Sequence, residues 1–262
     1  MTKTILITGS TDGIGLLTAQ TLAKEGHTIL LHGRGAARLE EAVTKVGGKV
    51  ETYAADLSRM ADIQTFAAEV TEKHDRLDVL INNAGVLKVQ DTVTDAGHDV
   101  RFMVNTFAPY ALTRALLPII PKDGRIVNLS SAAQAPIDLG AMRGGKQLGH
   151  NDAYAQSKLG ITIWTREMAN ELPDGPVVVA VNPGSLLASK MVKEGYGIAG
   201  NDLQIGSDIL REAALGASFA DASGKYFDND SGRFANPHEA AMDQSHSAQV
   251  MKGIEDALQS LS

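Results

Sequence analysis

The chain has 262 residues, 44% of them hydrophobic and 21% charged, and a formal net charge of −7; this is the profile of a soluble globular protein and argues against a nucleic-acid-binding surface. It has no cysteine, which excludes disulfides, thiolate catalysis and cysteine-based metal sites, and its seven histidines show no H-x-x-x-H spacing, so no metal is expected. No run approaches the roughly 20 apolar residues of a membrane helix and the N-terminus shows no signal-like core, so the expected location is cytoplasmic, with no membrane segment. In chain order, Thr4–Thr8 reads as a strand and Gly13–Glu25 as a helix with Ile14, Leu17 and Leu22 on its apolar stripe. Thr28–Leu31 reads as a strand, Arg38–Val46 as a helix, Val50–Ala54 as a strand and Ala61–Lys73 as a helix. Val79–Asn82, Arg125–Leu129 and Val177–Val181 are further strands. Between them lie helices over His98–Leu117 and Ala153–Leu172, the second stopped by Pro173. Lys225–Phe227 is a short seventh strand, and the tail from Pro237 reads as helical. Strands alternating with helices imply parallel strands joined by crossovers. The unbroken apolar run Val177–Val181 fits a strand covered on both faces.

The first strand is followed by Thr8-Gly9-Ser10-Thr11-Asp12-Gly13-Ile14-Gly15, which opens the first helix. A helix N-terminus offers unpaired N–H groups and partial positive charge to a phosphate, and glycines let the backbone approach it closely. The G-x-x-x-G-x-G spacing is a variant of a dinucleotide fingerprint; a plain tight strand-to-helix turn would also fit the glycines alone. A P-loop is excluded, because no Gly-Lys-Ser/Thr follows. At the end of the second strand, where an acid would bind ribose hydroxyls and favour NAD, the chain has His32-Gly33-Arg34. Arg34 can pair with a 2′-phosphate, so NADP is favoured over NAD. The alternative for Arg34 is a solvated turn.

Tyr154-x-x-x-Lys158 sits near the start of a helix, where positions i and i+4 share a face. A free phenol has a pKa of about 10; a neighbouring ammonium favours the phenolate and fits it to exchange protons with an alcohol or ketone. Ser130 and Ser131 close the fifth strand, and Asn82-Asn83-Ala84-Gly85 closes the fourth. Both lie at the carboxyl edge, where ligands bind in such sheets. Each string has a plainer alternative as a cap, a turn or a solvent-facing pair.

Together and in this order, Thr8-Gly9-x-x-x-Gly13-Ile14-Gly15, Asp56-Leu57, Asn82-Asn83-Ala84-Gly85, Asn105, Ser131, Tyr154-x-x-x-Lys158 and Asn182-Pro183-Gly184 resemble the short-chain dehydrogenase/reductase family. Lys225-Tyr226-Phe227 and the Pro237 segment resemble its retinol-dehydrogenase-like branch. The resemblance implies one NAD(P)-binding Rossmann domain over 1–262, with a doubly wound, mostly parallel, seven-stranded sheet, helices on both faces, and a substrate loop at about 185–235. It implies that Tyr154 is the acid/base, that Lys158 lowers its pKa and holds the nicotinamide ribose, that Ser131 orients the substrate oxygen, and that Asn105 anchors a water in a proton relay. Gly9, Ser10, Thr11, Asp12, Gly13, Ile14 and Gly15 would then cradle the cofactor's phosphates. Arg34, Asp56 and Leu57 would border the adenosine, and Asn83, Ala84, Gly85, Pro183 and Gly184 would line the cleft toward the nicotinamide. The expected reaction is hydride transfer between nicotinamide and a small carbonyl or alcohol; Leu186, Leu187, Met191, Val192, Tyr196 and Met142 either surround an apolar pocket or only pack the substrate loop.

The chain departs from that family at three places. Pro136–Asn151 lengthens the segment before Tyr154 and is expected to form a loop at the pocket mouth. Asp12 stands where members that prefer NADP often carry a base, and Ala188 where a threonine often contacts the carboxamide. A non-catalytic, NADP(H)-binding redox sensor is the rival reading. An epimerase or dehydratase would need a further lobe. Homodimers and homotetramers are common in the family and monomers occur in the branch, so the resemblance leaves oligomeric state open between them.

Overall fold

The computed structural model describes residues 1–188, 191, 193, 195, 197 and 199–261; Ser189, Val192 and Tyr196 lie outside the described residues. The strands are β1 (Thr4–Ile7), β2 (Thr28–Gly33), β3 (Lys49–Ala54), β4 (Val79–Asn82), β5 (Arg125–Leu129), β6 (Val177–Asn182), β7 (Tyr226–Asp228) and β8 (Arg233–Ala235). They form one sheet in the order β3-β2-β1-β4-β5-β6-β7-β8. Neighbours are parallel except β7 and β8. The sheet therefore has eight strands, not the seven expected. The extra one is the return arm of a hairpin after Asn229–Gly232, three residues too short to show a period. It is held by the Phe227–Phe234 pair, whose rings lie 5.1 Å apart.

Alternation along the strands divides the interior into two layers. Leu6, Leu80 and Ile126 face one side, with helices α3 (Met60–Lys73), α5 (Ala108–Leu116), α7 (His150–Glu171) and α9 (Gln244–Leu261). Ile5, Ile7, Val79, Ile81 and Val127 face the other, with α1 (Gly13–Lys24), α2 (Ala36–Val46) and α8 (Leu203–Leu215). A sheet covered on both faces needs apolar residues at every strand position, which is why these strands read as continuous runs.

Three further differences from the sequence reading have local causes. The helix expected over His98–Leu117 is broken into α4 (Val100–Phe102), a π-helical turn at Met103–Phe107 and α5, and an i+5 turn leaves no mark in hydrophobic periodicity. The sequence reading assigns no element between Val181 and Lys225, where α8 packs against α1. Within 136–151 the structure has the short helix α6 (Leu139–Met142), capped by Asp138 and packed against α9. Met142, expected at a pocket, is fully buried in the core beside Gly253. No described helix is long and apolar enough to cross a membrane.

Candidate active site

β1, β4, β5 and β6 all end at one edge of the sheet, and the chain reverses its direction of growth between β1 and β4. Such a switch point opens a crevice between the outgoing loops. Thr8–Gly15, Asn83–Gly85, Ser130–Ser131 and Pro183–Gly184 all leave the sheet there.

The Gly9–Gly15 turn is braced from two sides. From β4, the Thr8 hydroxyl accepts the N–H groups of Asn83 and Ala84, each at 3.0 Å, and the Asn83 side-chain amide donates to the carbonyls of Thr8 at 2.8 Å and Gly9 at 3.0 Å. A β-carbon on Gly15 would collide with that Asn83 amide and with the Gly9 carbonyl, and Gly9 itself has φ +64 against Ala84, a left-handed conformation natural to glycine. From β2, the Gly9 N–H donates to His32 Nδ1 at 3.0 Å, while His32 Nε2 lies 3.1 Å from the Ala55 carbonyl. Both contacts are satisfied only if the proton sits on Nε2. Burial pushes His32 down to about 4, so the ring is neutral at physiological pH; it stacks on Phe66 with ring centres 4.8 Å apart. Ser10 points away from the crevice: its N–H donates to the His32 carbonyl at 3.0 Å and its hydroxyl accepts the His32 N–H at 2.9 Å. Asp12 is the N-cap of α1 and accepts the Gly13 N–H at 2.7 Å.

Beyond β2, Arg34 is exposed and makes no ion pair among the described residues. Asp56 is half-buried and accepts the N–H and hydroxyl of Ser58, and Leu57 is buried.

The far end of the crevice gathers the other expected residues. Lys158 lies inside α7, and its Nζ donates to the carbonyl of Leu129, the last residue of β5, at 2.6 Å. The Tyr154 ring is one turn earlier on the same face, with its centre 5.7 Å from that nitrogen. Burial pushes the Lys158 ammonium down to about 8. A β-carbon on Gly85 would lie 3.4 Å from both Lys158 Nζ and Asn105 Oδ1, and 3.8 Å from the end of Met191, so β4 delivers its glycine between these groups.

Asn105 is fully buried in the π-helical turn. It accepts the Val86 N–H at 2.8 Å and donates to the Val86 carbonyl and to the Ser157 hydroxyl, both at 2.9 Å. Of the two serines, Ser130 is buried against α7, its hydroxyl 2.6 Å from that of Thr162 and 3.2 Å from the Lys158 carbonyl. Ser131 is half-buried, and among the described residues its hydroxyl bonds only the Ala133 N–H, which it accepts at 3.1 Å, leaving its proton to donate. After β6, Pro183 and Gly184 are half-buried; Leu187 is buried, Leu186 is exposed, and Ala188 pairs through its N–H with Asn201 at 2.7 Å. Among the described residues no cluster of three or more His, Asp or Glu side chains is placed to hold a metal ion.

A family model described as short chain dehydrogenase matches residues 3–196. The chain belongs to the short-chain dehydrogenase/reductase family. Among curated relatives of this dehydrogenase/reductase is retinol dehydrogenase 13 of Homo sapiens, 32% identical over 251 residues, covering 86% of this chain and 76% of the relative. Retinol dehydrogenase 12 of Mus musculus is 31% identical over 244 residues, covering 86% and 77%. Its likeness is thus to the retinol-dehydrogenase-like branch. Among solved structures, an uncharacterized protein from Mycobacterium paratuberculosis superposes with a TM-score of 0.81 at 27% identity, covering 98% of this chain and 93% of that one. A short-chain dehydrogenase from Shigella flexneri 2a str. 301, complexed with NADP, superposes at 0.68 with 26% identity, covering 87% and 96%.

Four residues of this dehydrogenase/reductase that support the site carry no role in the sequence reading. His32 braces the phosphate-side turn. Tyr226 donates to the Ser131 carbonyl at 3.1 Å, and Gln134 donates to the same oxygen at 2.8 Å. Asp230 accepts the Ser185 N–H at 2.7 Å and the Asn182 side-chain amide at 2.9 Å, tying the exit from β6 to the hairpin. No spacing rule finds them: His32, Asp230 and Tyr226 reach across 23, 45 and 95 residues of sequence, and the local bond of Gln134 leaves no mark in periodicity.

Proposed function

We propose that this dehydrogenase/reductase interconverts a small, apolar carbonyl compound and its alcohol, with NADP favoured over NAD. The observation that carries the reading is the meeting of Lys158 Nζ, the Tyr154 ring and Asn105 around Gly85 at the crevice between β1 and β4. The glycine cradle at Gly9–Gly15, with no room for a β-carbon at Gly15, fits a pyrophosphate against the N-terminus of α1. Thr11, Gly13 and Ile14 complete that cradle, while Ser10 supports it from behind. Arg34, exposed and without an ion pair among the described residues, supports NADP, as does the NADP complex of the Shigella neighbour. Asp56 and Leu57 would hold the adenine side, and Asn83, Ala84, Pro183 and Gly184 the cleft walls.

When bound, the nicotinamide would donate or accept the hydride. The protein's part is proton management and alignment. Tyr154 gives a proton to the substrate oxygen in reduction and removes it in oxidation. The Lys158 cation, with little water around it, favours the phenolate that results. Ser131 donates a hydrogen bond to the same oxygen; the contact of the Ser130 hydroxyl with Thr162 supports this choice between the two serines. Asn105 fixes Val86 and Ser157, and hence the spacing of β4 and α7, and holds the relay water through its remaining acceptor capacity. The cytoplasmic location and the single-domain organisation rest on the sequence reading.

The test is a panel of aldehydes, ketones and alcohols with NADPH, NADH, NADP and NAD. Turnover is expected with apolar members and the phosphorylated cofactor. Tyr154→Phe is expected to lower kcat at least about a thousandfold with cofactor affinity within about twofold. Retained turnover in this variant refutes the assignment, and tight cofactor binding without turnover across the wild-type panel favours a redox sensor.

A further inference from the structure

A second cavity, of about 460 Å³, lies at the β7–β8 edge of the sheet against α7, and its walls include Arg166, Lys225, Tyr226, Arg233 and Phe234. The protein carries 31 acidic residues against 24 basic, yet the three charged residues of this wall are all cationic. None of them pairs with a carboxylate among the described residues. For Arg233 the reason is visible. Its cross-strand partner is Asp228, an arrangement that ordinarily forms an ion pair, but the Asp228 oxygens are taken up by Asn182 at 2.8 Å and Ser231 at 2.7 Å. The guanidinium is left to face solvent. Phe234, 37% exposed, adds an apolar ring with Lys225 Nζ 5.5 Å from its centre. Guanidinium groups without acceptors among the described residues, beside a partly exposed phenyl ring, suit a carboxylate carried on a flat apolar body.

We propose that this cavity binds a small organic anion, an aromatic or acyl carboxylate, and that its occupancy is felt at the active site through Tyr226. That side chain forms part of the cavity wall, and its hydroxyl donates to the Ser131 carbonyl at 3.1 Å. A second tie runs the same way: Pro237 borders the cavity, and the N–H of the next residue, His238, donates to Gln134, whose amide holds the Ser131 carbonyl. An anion that draws Arg233 or Lys225 inward shifts the hairpin on which Tyr226 sits, and with it the hydroxyl of Ser131. The binding claim is independent of the proposed reaction; only the link to Ser131 rests on it.

The probe is benzoate, followed by saturation-transfer NMR and calorimetry with NADP and NAD both in excess, so that the Gly9–Gly15 turn is filled. Inorganic phosphate serves as the anion without an apolar body. Saturable benzoate binding is expected, weaker for phosphate. The Arg166→Gln/Arg233→Gln double variant is expected to weaken it at least about tenfold with cofactor binding unchanged. Absence of saturable binding, or binding untouched by the double variant, overturns the site, and equal affinity for phosphate overturns its organic character. For the link, benzoate is expected to change kcat in the wild type, and Tyr226→Phe to bind benzoate equally but lose that change. A kcat indifferent to bound benzoate overturns the link and leaves the site standing.

Discussion

Replacing His32 by phenylalanine separates its ring packing from its hydrogen bonds. The ring is 2% exposed and stacks on Phe66, and phenylalanine keeps that stack. It removes the acceptor for the Gly9 N–H and the donor to the Ala55 carbonyl. A buried polar group left without its partner costs about 1–3 kcal/mol; Gly9 is half-buried and partly rescued by water, so the pair comes to about 2–4 kcal/mol. The loss depends on pH in a defined direction. The folded-state pKa is about 4, against 6.5 for the unfolded chain. Between those values the unfolded chain takes up a proton that the folded chain does not. The stability from His32 is therefore complete above pH 6.5 and falls as the pH drops toward 4, by about 3 kcal/mol at 1.36 kcal/mol per unit. Urea unfolding of both proteins from pH 8 to pH 4 reads this out. The difference between them is expected to be about 2–4 kcal/mol at pH 8 and to shrink toward zero near pH 4. A difference that stays constant with pH, or one below about 0.5 kcal/mol at pH 8, refutes the reasoning.

Three further outcomes are expected. Because burial holds Lys158 down to about 8, its cation is present below that pH and lost above it. The kcat/KM of carbonyl reduction is therefore expected to fall above about pH 8, and a profile flat to pH 10 removes Lys158 from the mechanism. Gly15→Ala drives a methyl group into the Asn83 amide and the Gly9 carbonyl. It is expected to weaken cofactor binding by calorimetry at least about tenfold and to cost about 1–3 kcal/mol of stability; wild-type affinity would show that the turn yields freely. Truncation after Asp243 strips Val250, Ile254 and Ala257 from the core they share with Trp164 and Met168. The shortened chain is expected to self-associate in sedimentation experiments, where the full chain gives a smaller species; unchanged sedimentation would mean that α9 is dispensable as a cover.

Much of this molecule was legible in one dimension because its elements announce themselves locally. Val79–Asn82 and Arg125–Leu129 are strands at the limits expected. An apolar run bounded by turn residues has few other conformations that satisfy its backbone. Tyr154 and Lys158 could be paired from spacing alone, since a helix brings i and i+4 together whatever else the chain does. The π-helical turn around Asn105, the three-residue β8 and helix α8 escaped that reading. The first two are too short or too irregular for a period. The apolar face of α8 has meaning only once α1 is beside it.

The amino-acid sequence by itself determined the alternation of strands and helices, the glycine cradle and the identity of the catalytic candidates, because each depends on residues within a turn or two of one another. Only the tertiary structure decided which serine hydroxyl is free to donate, that Ser10 turns its back on the crevice, and that His32, Tyr226 and Asp230 support the site. Those outcomes depend on single polar atoms meeting across tens of residues, and such meetings are settled by how the two layers close over the sheet.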